Sequence, residues 1–270
     1  MRGTSEESRD AALRTFEPVV AAAGRDAARL AGELFRVVDT LDASSSLRRA
    51  LSDPARPGTD KAVLVAALFD GLDQRVRDAV TDFASRRWWH EDDLGDSIED
   101  AAVSALLASA EASGALATVE EELFAIERLI ASEGDLHTAL DDRSALPAAR
   151  MGLARTILGA QISSVTLALV DRATGAPRGR RFATMLAYYI AAAAERQGRI
   201  VAEVTAAVEL SAAQRARLAG LLRRTYDREV RVNLSVDPTV IGGVRVRVGD
   251  EVMDGTMLAR LDDARRRLVG

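Results

Sequence analysis

The chain reads as a mostly α protein with a small α/β C-terminal module: two tandem helical bundles, then a βαβ-type domain with a β-hairpin. Three observations predict this. Apolar residues recur at helical spacing almost throughout residues 1–197. That region repeats itself at a single offset. After Gly198 the apolar period drops to two, the signature of strands.

The helical segments fall near 8–23, 25–42, 44–51, 59–71, 73–87 and 90–112, then near 116–132, 134–141, 147–159, 161–173 and 179–197. Breaks lie where residues that cannot continue a helix stand: Gly24, the Asp53-Pro54 to Pro57-Gly58 loop, Gly114, Pro147 and Gly175-Ala176-Pro177. At an offset of 89 residues, Leu34-Phe35 matches Leu123-Phe124, and Leu47, Leu51 and Asp53 match Leu136, Leu140 and Asp142. Lys61, Leu64 and Leu68 match Arg150, Leu153 and Ile157, and Val76 and Val80 match Val165 and Leu169. This period exceeds the roughly 20–50 residues of a solenoid repeat and suits a small domain. The expected division is 1–105, an extra bundle; 106–197, a second bundle; and 198–270, the α/β domain.

In the last domain Ile200, Ala202, Val204, Ala206 and Val208 alternate as a first strand. Ser211-Ala212-Ala213-Gln214 is a capping box, in which hydroxyl and amide each satisfy an otherwise orphaned backbone N–H. The helix behind it buries Leu218, Leu221 and Leu222. Val230, Val232, Leu234 and Val236 form a second strand, stopped by Asp237-Pro238 because proline cannot donate to a ladder. Val244, Val246 and Val248 form a third, with Arg245 and Arg247 outward, and Gly249-Asp250 turns it into a hairpin. Asp254-Gly255 leads to a last helix over 256–268.

Composition narrows the function. The 270 residues are 48% hydrophobic, 29% charged and only 4% aromatic, with a net charge of −5, so a strongly basic nucleic-acid face is not expected. There are no cysteines and two histidines, which excludes disulfides and cysteine- or histidine-rich metal sites. No apolar run reaches the roughly 20 residues of a membrane span, and the N-terminus does not read as a secretory signal. A soluble chain made in the cytoplasm is expected, carried to any membrane by partners.

Catalytic constellations are missing. No phosphate loop or dinucleotide fingerprint occurs. Gly242-Gly243 precedes a strand, not the helix N-terminus a phosphate cradle needs, so unusual backbone angles at a strand start explain it better. His90, before Glu91-Asp92-Asp93, reads as a helix start, with Trp88 and Trp89 packing on the preceding helix. His137 reads as structural. Asp92-Asp93, Asp141-Asp142 and Asp262-Asp263 read as helix caps, and Arg178-Gly179-Arg180-Arg181 and Arg265-Arg266-Arg267 as solvated or partner-docking clusters.

One stretch is specific enough to suggest a family. It carries Val230, Val232, Val236-Asp237, Val240, Gly242-Gly243-Val244, Val246-Arg247, Gly249-Asp250, Val252 and Asp254-Gly255-Thr256, then Arg260-Leu261 in the final helix. This order and spacing resembles the C-terminal signature of the delta subunits of F-type ATP synthases, the oligomycin-sensitivity-conferring proteins of mitochondria. Residues 106–270 resemble the whole of a typical member; 1–105 look like an extra helical copy, a form associated with actinobacterial chains. The resemblance implies a structural role for Val236, Asp237, Pro238, Gly242, Gly243, Arg247, Gly249, Asp254 and Gly255, with no catalytic, cofactor or metal residues. It implies a noncatalytic stator, or peripheral-stalk, subunit on the cytoplasmic face of the cell membrane. Its partners would be the alpha-subunit N-termini, with the alpha/beta head, and the C-terminal helix of the b subunit. No nucleic acid would be bound, and the membrane would be reached only through the complex. A helical scaffold or regulatory adaptor unrelated to ATP synthase is the competing reading.

Overall fold

A computed structural model describes residues 3–208, 210–226, 229–237, 243–248 and 251–254. The expected final helix lies outside them, as do Pro238, Gly242, Gly249 and Gly255. Two compact units emerge, Met1–Ala192 and Ala193–Gly270.

The first unit is helical. α1 (Gly3–Ala23) is followed by a 3-10 turn at Gly24–Asp26, then α2 (Ala27–Ala43), α3 (Ser45–Ser52), α4 (Gly58–Leu68) and α5 (Gln74–Ser85). α6 (Glu91–Ala112) comes next, then α7 (Leu116–Ser132), α8 (Gly134–Asp141), α9 (Pro147–Leu158) and α10 (Ser164–Gly175). α11 (Phe182–Arg196) begins in this unit and ends in the next. The pattern on α2 shows why these segments are helices and what they bury. Ala27, Leu30, Leu34, Val37, Val38 and Leu41 recur every three or four residues and are fully buried. They pack chiefly on α6. Side-chain caps set the starts: Ser44 Oγ accepts from the Leu47 amide, Asp73 from the Arg75 amide and Ser163 Oγ from the Thr166 amide.

The repeat recurs in three dimensions. α2 and α7 have 17 residues each, α3 and α8 eight each, and α5 and α10 twelve each. Lys61, buried on α4, donates to the Ala84 carbonyl at 2.8 Å, and Arg150, buried on α9, donates to the Thr174 carbonyl at 3.0 Å. Each cation thereby satisfies a carbonyl near the end of the following helix, which has no partner within its own helix. Glu33 accepts from the amide of Asp73, which caps α5, and Glu122 from the amide of Ser163, which caps α10. The constant offset of 89 does not run to the end. α9 is one residue longer than α4, so the cap of α10 stands 90 residues after that of α5. Val76 therefore corresponds to Thr166, not Val165, and Val80 to Val170, not Leu169; all four corresponding side chains are buried.

α6 lies between the halves. It packs on α1, α2, α3 and α5 and also on α7 and α10. Its side chains from Asp93 to Ala110 are buried except Asp96, Asp100 and Ser104, which are half-buried. α1, α6 and α11 are each followed by a glycine with positive φ, Gly24, Gly114 and Gly198, a backbone form that ends a helix and that side chains resist. Residue 105, the boundary expected from sequence, thus falls inside α6.

The second unit comprises β1 (Arg199–Ala206), α12 (Ala212–Tyr226), β2 (Glu229–Val236), β3 (Val244–Val248) and β4 (Glu251–Asp254). The sheet order is β2-β1-β3-β4; β1 and β2 are parallel, joined through α12, and β1-β3 and β3-β4 are antiparallel. Alternation places Ala202, Val204 and Val246 on the buried face with Leu222 of α12, and Leu218, Tyr226, Val232 and Leu234 pack around them. The capping box forms as the sequence predicts: the Ser211 amide donates to Gln214 at 2.8 Å and the Gln214 amide to Ser211 Oγ at 3.3 Å.

Candidate partner-binding surfaces

Three features of the described residues bear on function. The first is a charged knot. Glu99, on the inner side of α6, is only 1% exposed. Arg172 of α10 meets it at 2.7 Å, Arg178 at 3.3 Å, and Arg180 closes on the same carboxylate. Arg172 also reaches Asp39 of α2 at 2.5 Å and lies 4.8 Å from the centroid of the Phe35 ring. Arg178 bonds Asp42 of α2 at 2.7 Å and also pairs with Asp96 of α6. Gly95 makes room, since a Cβ there would stand 2.9 Å from the Arg178 guanidinium. Burial pushes the Glu99 carboxyl up, but Arg172 and Arg180, with Arg178, hold it below its usual range. Next to it on α6, burial raises Asp100 to about 6, against the pull of a 2.6 Å hydrogen bond from the Tyr188 hydroxyl and of Arg9 at 3.9 Å.

Arg178 and Arg180 were expected from sequence to be solvated or to meet a partner; they turn inward instead. The legible signal was Glu99 itself. It sits among Leu94, Ile98, Ala102 and Val103 on a helix, and a buried carboxylate must be paired.

The second feature is a cleft of about 170 Å³ between α1 and α5. Ala12, Phe16 and Val19 of α1 face Ala79 and Phe83 of α5 across it, with Asp78 and Asp82 along the α5 side. Arg86 neutralises Asp82 at 2.8 Å and reaches Thr15 on α1. Asp78 is exposed and accepts a hydrogen bond from the neutral Gln74 amide at 2.7 Å.

The third is the C-terminal signature. Val236 ends β2 and is 48% exposed; the Asp237 amide donates to the Ala206 carbonyl at 2.9 Å, extending the β1-β2 pairing by one bond. Gly243, at φ +81, starts β3. Arg247 pairs with Glu203 on the neighbouring β1 at 2.9 Å, and Asp254 ends β4 opposite Arg245. Val236, Asp237 and Gly243, among the described residues, stand at the end of the sheet where β1 finishes at Ala206. Among the described residues, no three His, Cys, Asp or Glu side chains gather as a metal-binding group, and no helix is long and apolar enough to cross a membrane. His90 caps α6, its amide donating to Asp93 at 3.1 Å. Trp88 packs on α5, its indole N–H donating to the Phe83 carbonyl, whereas Trp89 is 59% exposed, not packed as expected. His137 lies 3.5 Å from Asp141, and Asp141 caps the start of α11 through the Phe182 amide.

A helical unit tied together by buried ion pairs and a small unit built on a mixed sheet define a class of mostly helical protein with an α/β module. The pattern of the ATP synthase delta (OSCP) subunit matches residues 102–268. Relatives match along their whole length. ATP synthase subunit delta of Beutenbergia cavernae is 43% identical over 100% of both chains; that of Kineococcus radiotolerans is 42% identical over 99% of this chain and 98% of its own. The Streptomyces griseus subunit is 41% identical over 100% of both. The chain belongs to the ATP synthase delta (OSCP) subunit family. It is a noncatalytic stator component of that enzyme, peripheral to the membrane through the complex.

Proposed function

We propose that this chain ties the alpha/beta head to the b subunit of a proton-translocating F-type ATP synthase, on the cytoplasmic face of the cell membrane. The helical unit would hold the alpha N-terminal segments, and the C-terminal domain the end of the b helix. The head is then kept from turning with the rotor, so proton flow drives ATP synthesis. The observation that carries this reading is family membership along the full chain. Physical considerations support the division of labour. Grooves between helices accept amphipathic helices, and resisting torque calls for extended interfaces, not a pocket.

The domain reading belongs with this proposal: 1–105 as an added copy of the helical domain, 106–197 as the family-type copy and 198–270 as the α/β domain. Equal helix lengths and the paired Lys61 and Arg150 contacts support a duplication. The signature residues Val236, Asp237, Pro238, Gly242, Gly243, Arg247, Gly249, Asp254 and Gly255 would keep the C-terminal domain in shape for the b helix.

The test is a pull-down of the tagged chain from its native membranes in mild salt. Recovery of alpha, beta and b subunits is expected. Clean recovery of the chain without them would overturn the proposal.

A further inference from the structure

The two halves of the helical unit close differently where the last helix of each begins. In the first half that helix is α6, and Arg48 of α3 pairs with its first two residues, Glu91 at 3.7 Å and Asp92 at 3.2 Å. In the second half the last helix is α11, and α8, of the same length, takes the place of α3. The 89-residue offset that aligns α3 with α8 puts His137 where Arg48 stands. Matching the helix starts puts Phe182 and Ala183 where Glu91 and Asp92 stand. Both sides of the ion pair are replaced, and the place is open. A cleft of about 560 Å³ lies there, with His137, Thr138, Arg143 and Arg181 in its lining. His137 also borders an adjoining cavity of about 340 Å³, lined by Ile130, Ala131, Ala183 and Leu186, with Glu127 beside them.

We infer that the cleft between α8 and the start of α11 receives the acidic first turn of a helix from a partner chain, two carboxylates followed by an apolar side chain. The fold itself shows such a fit, since Glu91 and Asp92 open α6 against Arg48 at the corresponding place, with Leu94 buried behind them. Charge selects the occupant. Arg143 and Arg181 are both exposed, and neither has a carboxylate partner among the described residues. Arg143 donates to the Gly179 carbonyl at 2.6 Å, which fixes its guanidinium and leaves it further donors. The carboxylates of the cleft are already engaged: Asp141 accepts from the Phe182 amide at 2.7 Å and Asp142 from the Ser144 amide at 2.8 Å. Arg180 is held by Glu99. What the cleft lacks is therefore an anion, and a guanidinium takes a carboxylate through two parallel N–H bonds. A site for a small ligand encloses most of it. Here Thr138, Arg143 and Arg181 are exposed in the lining, an open form suited to a segment of another chain. The adjoining apolar cavity takes the side chain that follows the acidic turn.

The inference rests on the stator reading only for where the partner is sought, and its test separates the two. The chain has no cysteine, so Thr138→Cys gives a single labelling position in the cleft. The tagged full chain, carrying benzophenone maleimide there, is added back to native membranes stripped of the wild-type chain and irradiated. Mass spectrometry then reads which residues of which chain are joined. The crosslink is expected within about one helical turn of two or more Asp or Glu residues of another chain. Arg143→Glu with Arg181→Glu should cut its yield by about fivefold or more, because reversal replaces attraction by repulsion. Arg181→Glu alone, which removes no described contact, should cut it by about twofold, and Arg181→Lys should keep most of it. A crosslink to a segment without carboxylates, or to a second copy of this chain, would overturn the inference. So would a yield indifferent to charge reversal. Recovery of the head with no crosslinked chain, as when a free anion fills the cleft, would overturn it while leaving the stator reading standing. Failure of both crosslinking and head recovery would bring down both.

Discussion

Glu99 and Arg172 meet at 2.7 Å inside the helical unit, a carboxylate 1% exposed against a guanidinium 5% exposed, from helices 73 residues apart in sequence. Neither charge could be buried alone at tolerable cost. Together with Arg178, Arg180, Asp39 and Asp42 they connect α2, α6, α10 and the segment leading into α11. Replacing Glu99 by Ala removes the buried carboxylate that Arg172, Arg178 and Arg180 share, although Arg172 keeps Asp39 and Arg178 keeps Asp42 and Asp96. We expect a loss of about 3–5 kcal/mol, the range for breaking a buried pair from one side. Urea unfolding followed by circular dichroism checks this; a loss below about 1 kcal/mol would mean the knot is open to water.

Asp100 makes stability depend on pH in the opposite sense from a paired surface carboxylate. Its folded value, about 6, exceeds the ordinary 3.8, so the native chain binds a proton that the unfolded chain has released between those pH values. Stability from this group is present below pH 4 and lost as pH rises to 6, a difference of about 3 kcal/mol. Asp100→Asn keeps an acceptor for Tyr188 without the charge. Its melting temperature should exceed wild type at pH 7.5 and converge with it near pH 4. Equal melting temperatures at both pH values would refute the assignment.

Lys61 and Arg150 provide a test of the repeat. Each buried cation reaches a carbonyl near the end of the next helix. Lys61→Met and Arg150→Met should each destabilise the helical unit by about 1–3 kcal/mol, the range for a charged hydrogen bond in this setting. A cost at only one of them, measured by chemical unfolding, would show that the two sites are not equivalent.

Gly243 has φ +81, where any side chain is strained. Gly243→Val should destabilise the C-terminal unit by more than about 1 kcal/mol, with the helical unit unaffected. Limited proteolysis resolves the two units; an unchanged cleavage pattern would count against this.

Removing everything after Gly198 leaves the compact helical unit, which is expected to fold with its helical circular dichroism intact and to bind the alpha N-terminal peptide while losing the b subunit. Retained b binding in co-purification would contradict the division of roles.

Much of the architecture was legible because it follows from periodicity. Leu30, Leu34, Val37, Val38 and Leu41 announce a helix face, Ala202, Val204 and Ala206 announce a strand, and Ser211 with Gln214 announces the helix start. Less legible was whatever depends on distant chain segments meeting. A charge run such as Arg178-Gly179-Arg180-Arg181 looks solvated until Glu99 is known to point at it. The one-residue drift of the repeat hides because leucines and valines on adjacent positions match at either offset. The contact of Arg172 with Phe35 and Asp39 was invisible for the same reason: both belong to a helix already accounted for by its own core stripe.

α6 has a consequence for how this chain can change over time. Because one unbroken helix faces neighbours on both sides, its length sets the angular phase between them. A single residue inserted near its middle would turn everything downstream by about 100° and slide it by about 1.5 Å. Loops elsewhere can grow or shrink at little cost, but this segment must keep its residue count, because its buried positions serve neighbours on both sides.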